Sequence, residues 1–193
     1  MLSSRNKRKV SNMKLIICSD IHGDLDSARR AIDLYRNEGA EKLIILGDIL
    51  YHGPRNDLPP TYAPKQVISL LNENKDRILA IRGNCDTEVD QMVLSFPILA
   101  DYAYLYLDGL SIIITHGHNY NTKTPPPLRK GEILIHGHTH ILTCQEFGDE
   151  NIYLNPGSIA LPKENNPRTY MIYENRTFTV KDLDGNVVLK KEF

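Results

Sequence analysis

Ile133-Leu134-Ile135-His136-Gly137-His138-Thr139-His140 is the stretch whose reading decides the fold. Three consecutive aliphatic residues read as a short buried strand. Histidines alternate directly beyond its carboxyl end. On an extended segment residues two apart share a face, so His138 and His140 can point at one place. His136 shares that face, and its expected part is to close the strand and hydrogen-bond nearby. Four other apolar runs end the same way. Leu15-Ile16-Ile17-Cys18 leads to Asp20-x-His22, and Leu43-Ile44-Ile45-Leu46 leads to Gly47-Asp48. Ile78-Leu79-Ala80-Ile81 leads to Gly83-Asn84, and Ile112-Ile113-Ile114-Thr115 to His116-Gly117-His118. Each residue taken alone has an ordinary explanation. Asp20 or Asp24 would cap a helix, and Asp48 or Asn84 would serve a turn. Five strand ends that all carry Asp, Asn or His are not explained that way. In open α/β sheets ligands bind outside the carboxyl ends of the strands. Carboxylate, amide oxygen and imidazole gathered there suit a first-row transition metal. The donors suffice for two ions, an arrangement that suits phosphoryl hydrolysis.

Working outward, the first half alternates strand and helix. A strand over 14–18 precedes a helix over 25–37, with Ala28, Ala31, Ile32, Leu34 and Tyr35 as its apolar stripe and Gly39 at its C-terminal end. A strand over 43–46, a Pro- and Gly-rich loop from Tyr51 to Pro64, a helix over 64–73 and a strand over 78–82 complete a parallel βαβαβ pattern. A short helix near 87–94 carries Val89, Met92 and Val93 at stripe spacing. The second half is mostly β. A hairpin turns at Asp108-Gly109, strands follow near 133–136, 141–146 and 151–154, and three more cover 168–174, 177–183 and 186–192. The fold class expected is α/β, with two mixed sheets face to face and helices outside.

A chain of 193 residues suits one domain with a full core. The formal net charge of −1 argues against a general nucleic-acid or membrane-surface binder. Arg5, Lys7, Arg8 and Lys9 lie in residues 1–12, which lack acidic residues and the apolar middle of a secretory signal. Taking those four charges from −1 leaves −5 for residues 13–193, a mildly acidic body suited to holding cations. The expected organisation is a basic N-terminal extension over 1–12 and a single domain over 13–193. The 3 cysteines have no regular spacing, so a reducing, cytoplasmic setting is expected. No apolar run approaches the roughly 20 residues of a membrane span.

Taken together, Ser19-Asp20-Ile21-His22-Gly23, Leu46-Gly47-Asp48, His52-Gly53-Pro54-Arg55-Asn56, Arg82-Gly83-Asn84-Cys85-Asp86, Thr115-His116-Gly117-His118, Gly137-His138-Thr139-His140 and Asn155-Pro156-Gly157-Ser158 resemble the calcineurin-like metallophosphoesterase superfamily. The resemblance runs from Met13 to about Ser158, in matching order, and looks closest to small bacterial YfcE-like phosphodiesterases. It implies a four-layer α/β/β/α sandwich. It further implies that Asp20, His22 and His140 hold one ion, that Asn84, His116 and His138 hold a second, and that Asp48 bridges them. The ions implied are divalent, manganese first, with Fe, Ni, Co or Zn as alternatives. A hydroxide between ions roughly 3.5–4 Å apart would be the nucleophile. Arg55 would hold a phosphate oxygen pair through its planar guanidinium. His118 would meet substrate or orient ligands. Asn155-Pro156-Gly157-Ser158 would be a turn near the site. A homodimer is the assembly the resemblance suggests.

Cys85 departs from the superfamily pattern, which often has histidine after the motif asparagine. A thiol of ordinary pKa roughly 8.5 is a poor proton donor to a leaving group. That points to a small-molecule phosphodiester, or an activated aryl ester, as substrate. The alternatives are a phosphomonoesterase or phosphoprotein phosphatase, which Cys85 disfavours, and a non-catalytic scaffold, which the full set of seven ligands disfavours. Cys85 as a covalent nucleophile duplicates a role the ions already fill.

Overall fold

The computed structural model describes residues 13–193; the basic segment 1–12 lies outside the described residues. The expected elements are all present, with ends shifted by no more than two residues. In chain order they are β1 (Leu15–Cys18), α1 (Leu25–Asn37), β2 (Lys42–Ile45), α2 (Pro64–Asn72), β3 (Ile78–Ala80), α3 (Glu88–Val93), β4 (Tyr102–Leu107), β5 (Leu110–Thr115), β6 (Ile133–Ile135), β7 (Thr143–Phe147), β8 (Asn151–Asn155), β9 (Thr169–Glu174), β10 (Thr177–Asp182) and β11 (Val187–Glu192).

Two mixed sheets result, ordered β11-β10-β9-β1-β2-β3 and β4-β5-β6-β8-β7. In the first, β1, β2 and β3 run parallel, while β9 joins β1 antiparallel. In the second, β5, β6 and β8 run parallel, flanked by antiparallel β4 and β7. The central parallel strands are buried on both faces, which is why they read as unbroken aliphatic runs rather than alternating ones. Alternate residues of these strands divide between two cores. Ile16, Leu43 and Ile45 pack against Ala28, Ile32 and Val67 of α1 and α2. Ile17 and Ile44 turn the other way and meet Ile112, Ile114 and Ile135 of the second sheet. Truncating Ile44, which is 1% exposed, to alanine would cost about 2–5 kcal/mol.

The architecture is the expected α/β sandwich of two mixed sheets, with α1 and α2 as the outer layer of the first. On the outer side of the second sheet, Tyr120 of the 117–131 segment meets the Tyr102 ring of β4 at 5.6 Å. Asp24 takes its ordinary reading: it caps α1, its carboxylate accepting the Ser27 N–H at 3.0 Å.

The short helix differs from expectation in one respect. A capping box holds α3, with the Asp90 carboxylate accepting the Thr87 N–H at 2.7 Å. Yet none of its residues is buried, and Val89, Met92 and Val93 are 68%, 84% and 44% exposed. The spacing of an apolar stripe identifies one face of a helix, but not whether anything lies opposite it.

Candidate metal centre

The carboxyl ends of β1, β2, β3, β5 and β6 lie together at one edge of the sandwich, and the loops leaving them carry the candidate ligands. The backbone there is unusual. Asp20, His22, Asp48, His138 and His140 all have positive φ, between 50° and 67°. Non-glycine residues rarely adopt this left-handed conformation, and such strain concentrates at functional sites. The glycines beside them make the loops fit. A Cβ on Gly83 would run into the Asp48 carboxylate, and one on Gly137 would run into Ser19 and Asp20. This close approach is what the Gly-Asn and Gly-His pairs are for.

Three histidine rings are oriented by main-chain carbonyls. His22 Nδ1 donates to the Tyr51 carbonyl at 2.8 Å, His116 Nδ1 to Leu46 at 2.6 Å and His140 Nδ1 to Leu161 at 2.5 Å. A carbonyl can only accept, so each Nδ1 carries a proton and each ring turns inward its Nε2, which offers a lone pair once it carries no proton. Those Nε2 atoms converge. His22 Nε2 and His140 Nε2 are 3.3 Å apart, and His140 Nε2 is 3.2 Å from Asp20 Oδ1. Asp48 Oδ2 lies 3.6 Å from His22 Nε2 and 3.5 Å from His116 Nε2, between the two groups. Asn84 Oδ1 approaches His116 Nε2 at 3.1 Å, and His138 Nδ1 approaches the same atom at 3.2 Å. All seven candidate ligands are therefore brought together.

The cluster fits a cation on its own chemistry. Asp20 is fully buried, and its Oδ1 has no hydrogen-bond donor, while its Oδ2 accepts the His138 N–H at 3.2 Å. Burial alone would raise the Asp20 pKa, but the surrounding imidazoles hold it well below the usual carboxylate range. Burial also opposes protonation of His116, yet Asp48 and Asp20 push it up to about 9. The pair of carboxylates thus demands positive charge in a buried place. Burial, and after it His116, lowers His138 to about 4, leaving it neutral and able to donate a lone pair. Asp20, His22 and His140 make one group of metal-holding geometry; Asp20, Asp48 and His116 make another.

The remaining candidates surround this cluster. Arg55, Asn84, Cys85, His138, His140 and Lys163 line a small polar cavity of about 30 Å³ above it. His118 stands beside the cluster, its ring 5.4 Å from that of His116, and does not line that cavity. Cys85 is 8% exposed, and its main-chain N–H donates to Asp48 Oδ1 at 2.8 Å. Burial, then the Asp48 charge, pushes its thiol well above the ordinary range, so it stays protonated and unsuited to covalent attack. His136 does what its strand-end position suggested: its ring stacks on Tyr153 at 4.2 Å, and Nδ1 lies 3.0 Å from the Gly137 carbonyl.

Three residues have parts that the sequence did not assign. Asp86, 1% exposed, accepts the main-chain N–H of Asp48 at 2.8 Å, Ile49 at 2.9 Å and Gly83 at 2.7 Å. It ties the loop after β2 to the loop after β3. Its place two residues beyond Asn84 was the available signal. Asn155 donates to the Gly137 carbonyl at 3.1 Å and to Thr139 Oγ1 at 3.0 Å, bracing the histidine loop rather than merely turning. Lys163 lies in a segment with no motif, and no sequence signal marked it.

Comparison with known proteins gives the family. Residues 13–177 match the calcineurin-like phosphoesterase superfamily domain. Phosphodiesterase YfcE of Escherichia coli K12 is 42% identical over 177 residues, covering 92% of this chain and 96% of that protein. Its solved structure superposes with a TM-score of 0.89 over 93% of this chain and 98% of that one. Phosphodiesterase MJ0936 of Methanocaldococcus jannaschii is 28% identical over 75% of this chain and 83% of its own length. Vacuolar protein sorting 29 from Cryptosporidium parvum shares the fold at 16% identity, with a TM-score of 0.60 over 94% of this chain and 98% of that one. The chain belongs to the calcineurin-like phosphoesterase superfamily, whose members are metal-dependent hydrolases.

Proposed function

We propose that the domain over 13–193 is a dinuclear metal-dependent phosphodiesterase. The observation that carries this reading is the convergence of three Nε2 atoms on two buried carboxylates, with each Nδ1 turned to a main-chain carbonyl. The resemblance to two proteins named as phosphodiesterases supports the same reaction. In this reading Asp20, His22 and His140 hold one ion, Asn84, His116 and His138 the other, and Asp48 serves both. The mixed oxygen and imidazole donors suit manganese first, and Fe, Ni, Co or Zn next. Bound divalent ions supply an activated water and neutralise charge on phosphate oxygens.

The chain's own groups then account for selectivity. Arg55 and Lys163, both exposed at the cavity, meet the non-reacting phosphate oxygens. His118, which burial and then His116 keep neutral, orients His116 and His138 rather than binding an ion itself. The Cys85 thiol donates its proton poorly, which favours leaving groups that are stable as anions. This points to small-molecule diesters over alkyl monoesters. The free cysteines suit a cytoplasmic setting. Pairing of two copies rests on the resemblance alone, and weak affinity for nucleic acid rests on the small net charge. Among the described residues no helix is long and apolar enough to cross a membrane.

The test is reconstitution. Metal-stripped protein is titrated with Mn, Fe, Ni, Co or Zn, and bound metal is counted while hydrolysis of bis(p-nitrophenyl) phosphate is followed. Turnover should track binding of a second ion per chain. Full turnover with one ion, or none with two, refutes the dinuclear reading.

A further inference from the structure

Cys85 lines two cavities. One is the polar cavity above the metal cluster. The other is an open, largely apolar hollow of about 390 Å³ between Tyr51, Tyr62 and Ile68 on one side and Val89 and Val93 of α3 on the other. Its size falls in the range of small-molecule sites, roughly 300–1,000 Å³. One side of the hollow belongs to the ligand loop itself, through Leu50 and Tyr51. The Tyr51 carbonyl accepts from His22 Nδ1, while the Tyr51 ring is 42% exposed and meets the His52 ring edge-on at 4.6 Å. The His52 ring in turn meets Tyr62 edge-on at 5.4 Å.

We infer that this hollow is the subsite for an apolar ester arm, aliphatic or aryl, of the phosphodiester. The inference rests on the proposed reaction and adds the substrate class. A phosphate group seated over the cluster carries its ester arms outward past Cys85, which lines both cavities. Beyond it lies apolar surface that the core does not use. The exposed side chains of α3 then have a purpose: Val89 and Val93 wall the hollow, and the capping box of Thr87 and Asp90 holds them there without any buried anchor. Exposed apolar surface next to a catalytic cavity marks a place where something binds. The occupant is the substrate's own arm, because the hollow and the reaction cavity share a residue.

The experiment uses methyl-, butyl- and octylphosphonate as non-hydrolysable probes of the metal-loaded protein, with binding measured by calorimetry. Affinity should rise with chain length, by about two- to four-fold per methylene until the hollow is filled, as expected for apolar groups leaving water. The heat-capacity change should become more negative along the series. Val89→Asp and Val93→Ser, both at exposed positions, should flatten the dependence on chain length and leave the binding of methylphosphonate, which has no arm to reach the hollow, unchanged. Equal affinity for all three probes in the wild type overturns the subsite, as does a chain-length dependence that survives both variants. A shift of Val89→Asp to a smaller assembly on gel filtration, with no change in the phosphonate series, assigns the face to a second copy and also overturns it. Failure of the proposed reaction reads differently: methyl p-nitrophenyl phosphate is then not hydrolysed with any metal.

Discussion

Asp86 offers the sharpest test of how the centre is held. Its Oδ2 accepts the N–H groups of Asp48 and Gly83 at 2.8 and 2.7 Å, and its Oδ1 accepts that of Ile49 at 2.9 Å. Asp86→Ala leaves all three donors without a partner. An unsatisfied buried donor costs about 1–3 kcal/mol, and water entering the vacated space recovers part, so a loss of about 3–5 kcal/mol is expected. Asp86→Asn is nearly the same shape but has one oxygen. Placed at the Oδ2 position, that oxygen keeps two of the bonds, while the amide nitrogen faces the Ile49 N–H, donor against donor. The expected loss is about 1–3 kcal/mol. Urea unfolding measures both. Because the same bonds position Asp48 and Asn84, metal affinity should fall by about 10–100-fold in Asp86→Asn, the usual effect of losing a group that orients a ligand. Calorimetric metal titration reads this at a denaturant concentration of zero, where the variant is folded. Asp86→Ala with wild-type stability would refute the hydrogen-bond argument. Asp86→Asn with reduced stability and unchanged metal affinity would reduce Asp86 to a structural brace.

Three further outcomes are expected. Cys85→His should raise kcat/KM for an alkyl monoester relative to an activated diester, by less than the roughly 10²–10⁴-fold of a well-placed general acid; an unmoved ratio at matched metal content removes Cys85 as the source of diester preference. His118→Ala should keep its full metal content and turn over more slowly, whereas loss of an ion on metal analysis would make His118 a ligand. Glu38 supplies a pH dependence: burial works against its charge, but Lys181 at 3.1 Å and Lys14 at 3.3 Å hold its pKa below the ordinary value. A depressed carboxyl pKa contributes stability above the unfolded value and loses it as pH falls through the folded one. Glu38→Gln should therefore be less stable than wild type at pH 7, and the gap in Tm should close as pH drops below the ordinary glutamate range; a gap that persists at acid pH refutes the ion pairs.

How much of this was legible in the chain follows from the range of each interaction. Strands and helices were readable because their signals are local. Aliphatic runs such as Leu43 to Leu46 can satisfy their main chain and bury both faces only within a sheet. The α1 stripe, its Asp24 cap and Gly39 each act within a few residues. The candidate ligands were readable because they follow strands, and parallel strands must deliver their ends to one edge. That argument names residues but not their arrangement. Asp20 and His140 meet across most of the chain, and the carbonyls of Tyr51, Leu46 and Leu161 choose the tautomers of His22, His116 and His140 through contacts with no sequence signature. The role of Asp86 arises the same way, since main-chain N–H groups are identical at every position and only the fold decides which three are presented to one carboxylate. The face of α3 shows the limit from the other side. Periodicity tells which residues of a helix lie together, but whether Val89 and Val93 face a core, a hollow or water depends on what the rest of the chain places opposite them, and that is a property of the tertiary structure alone.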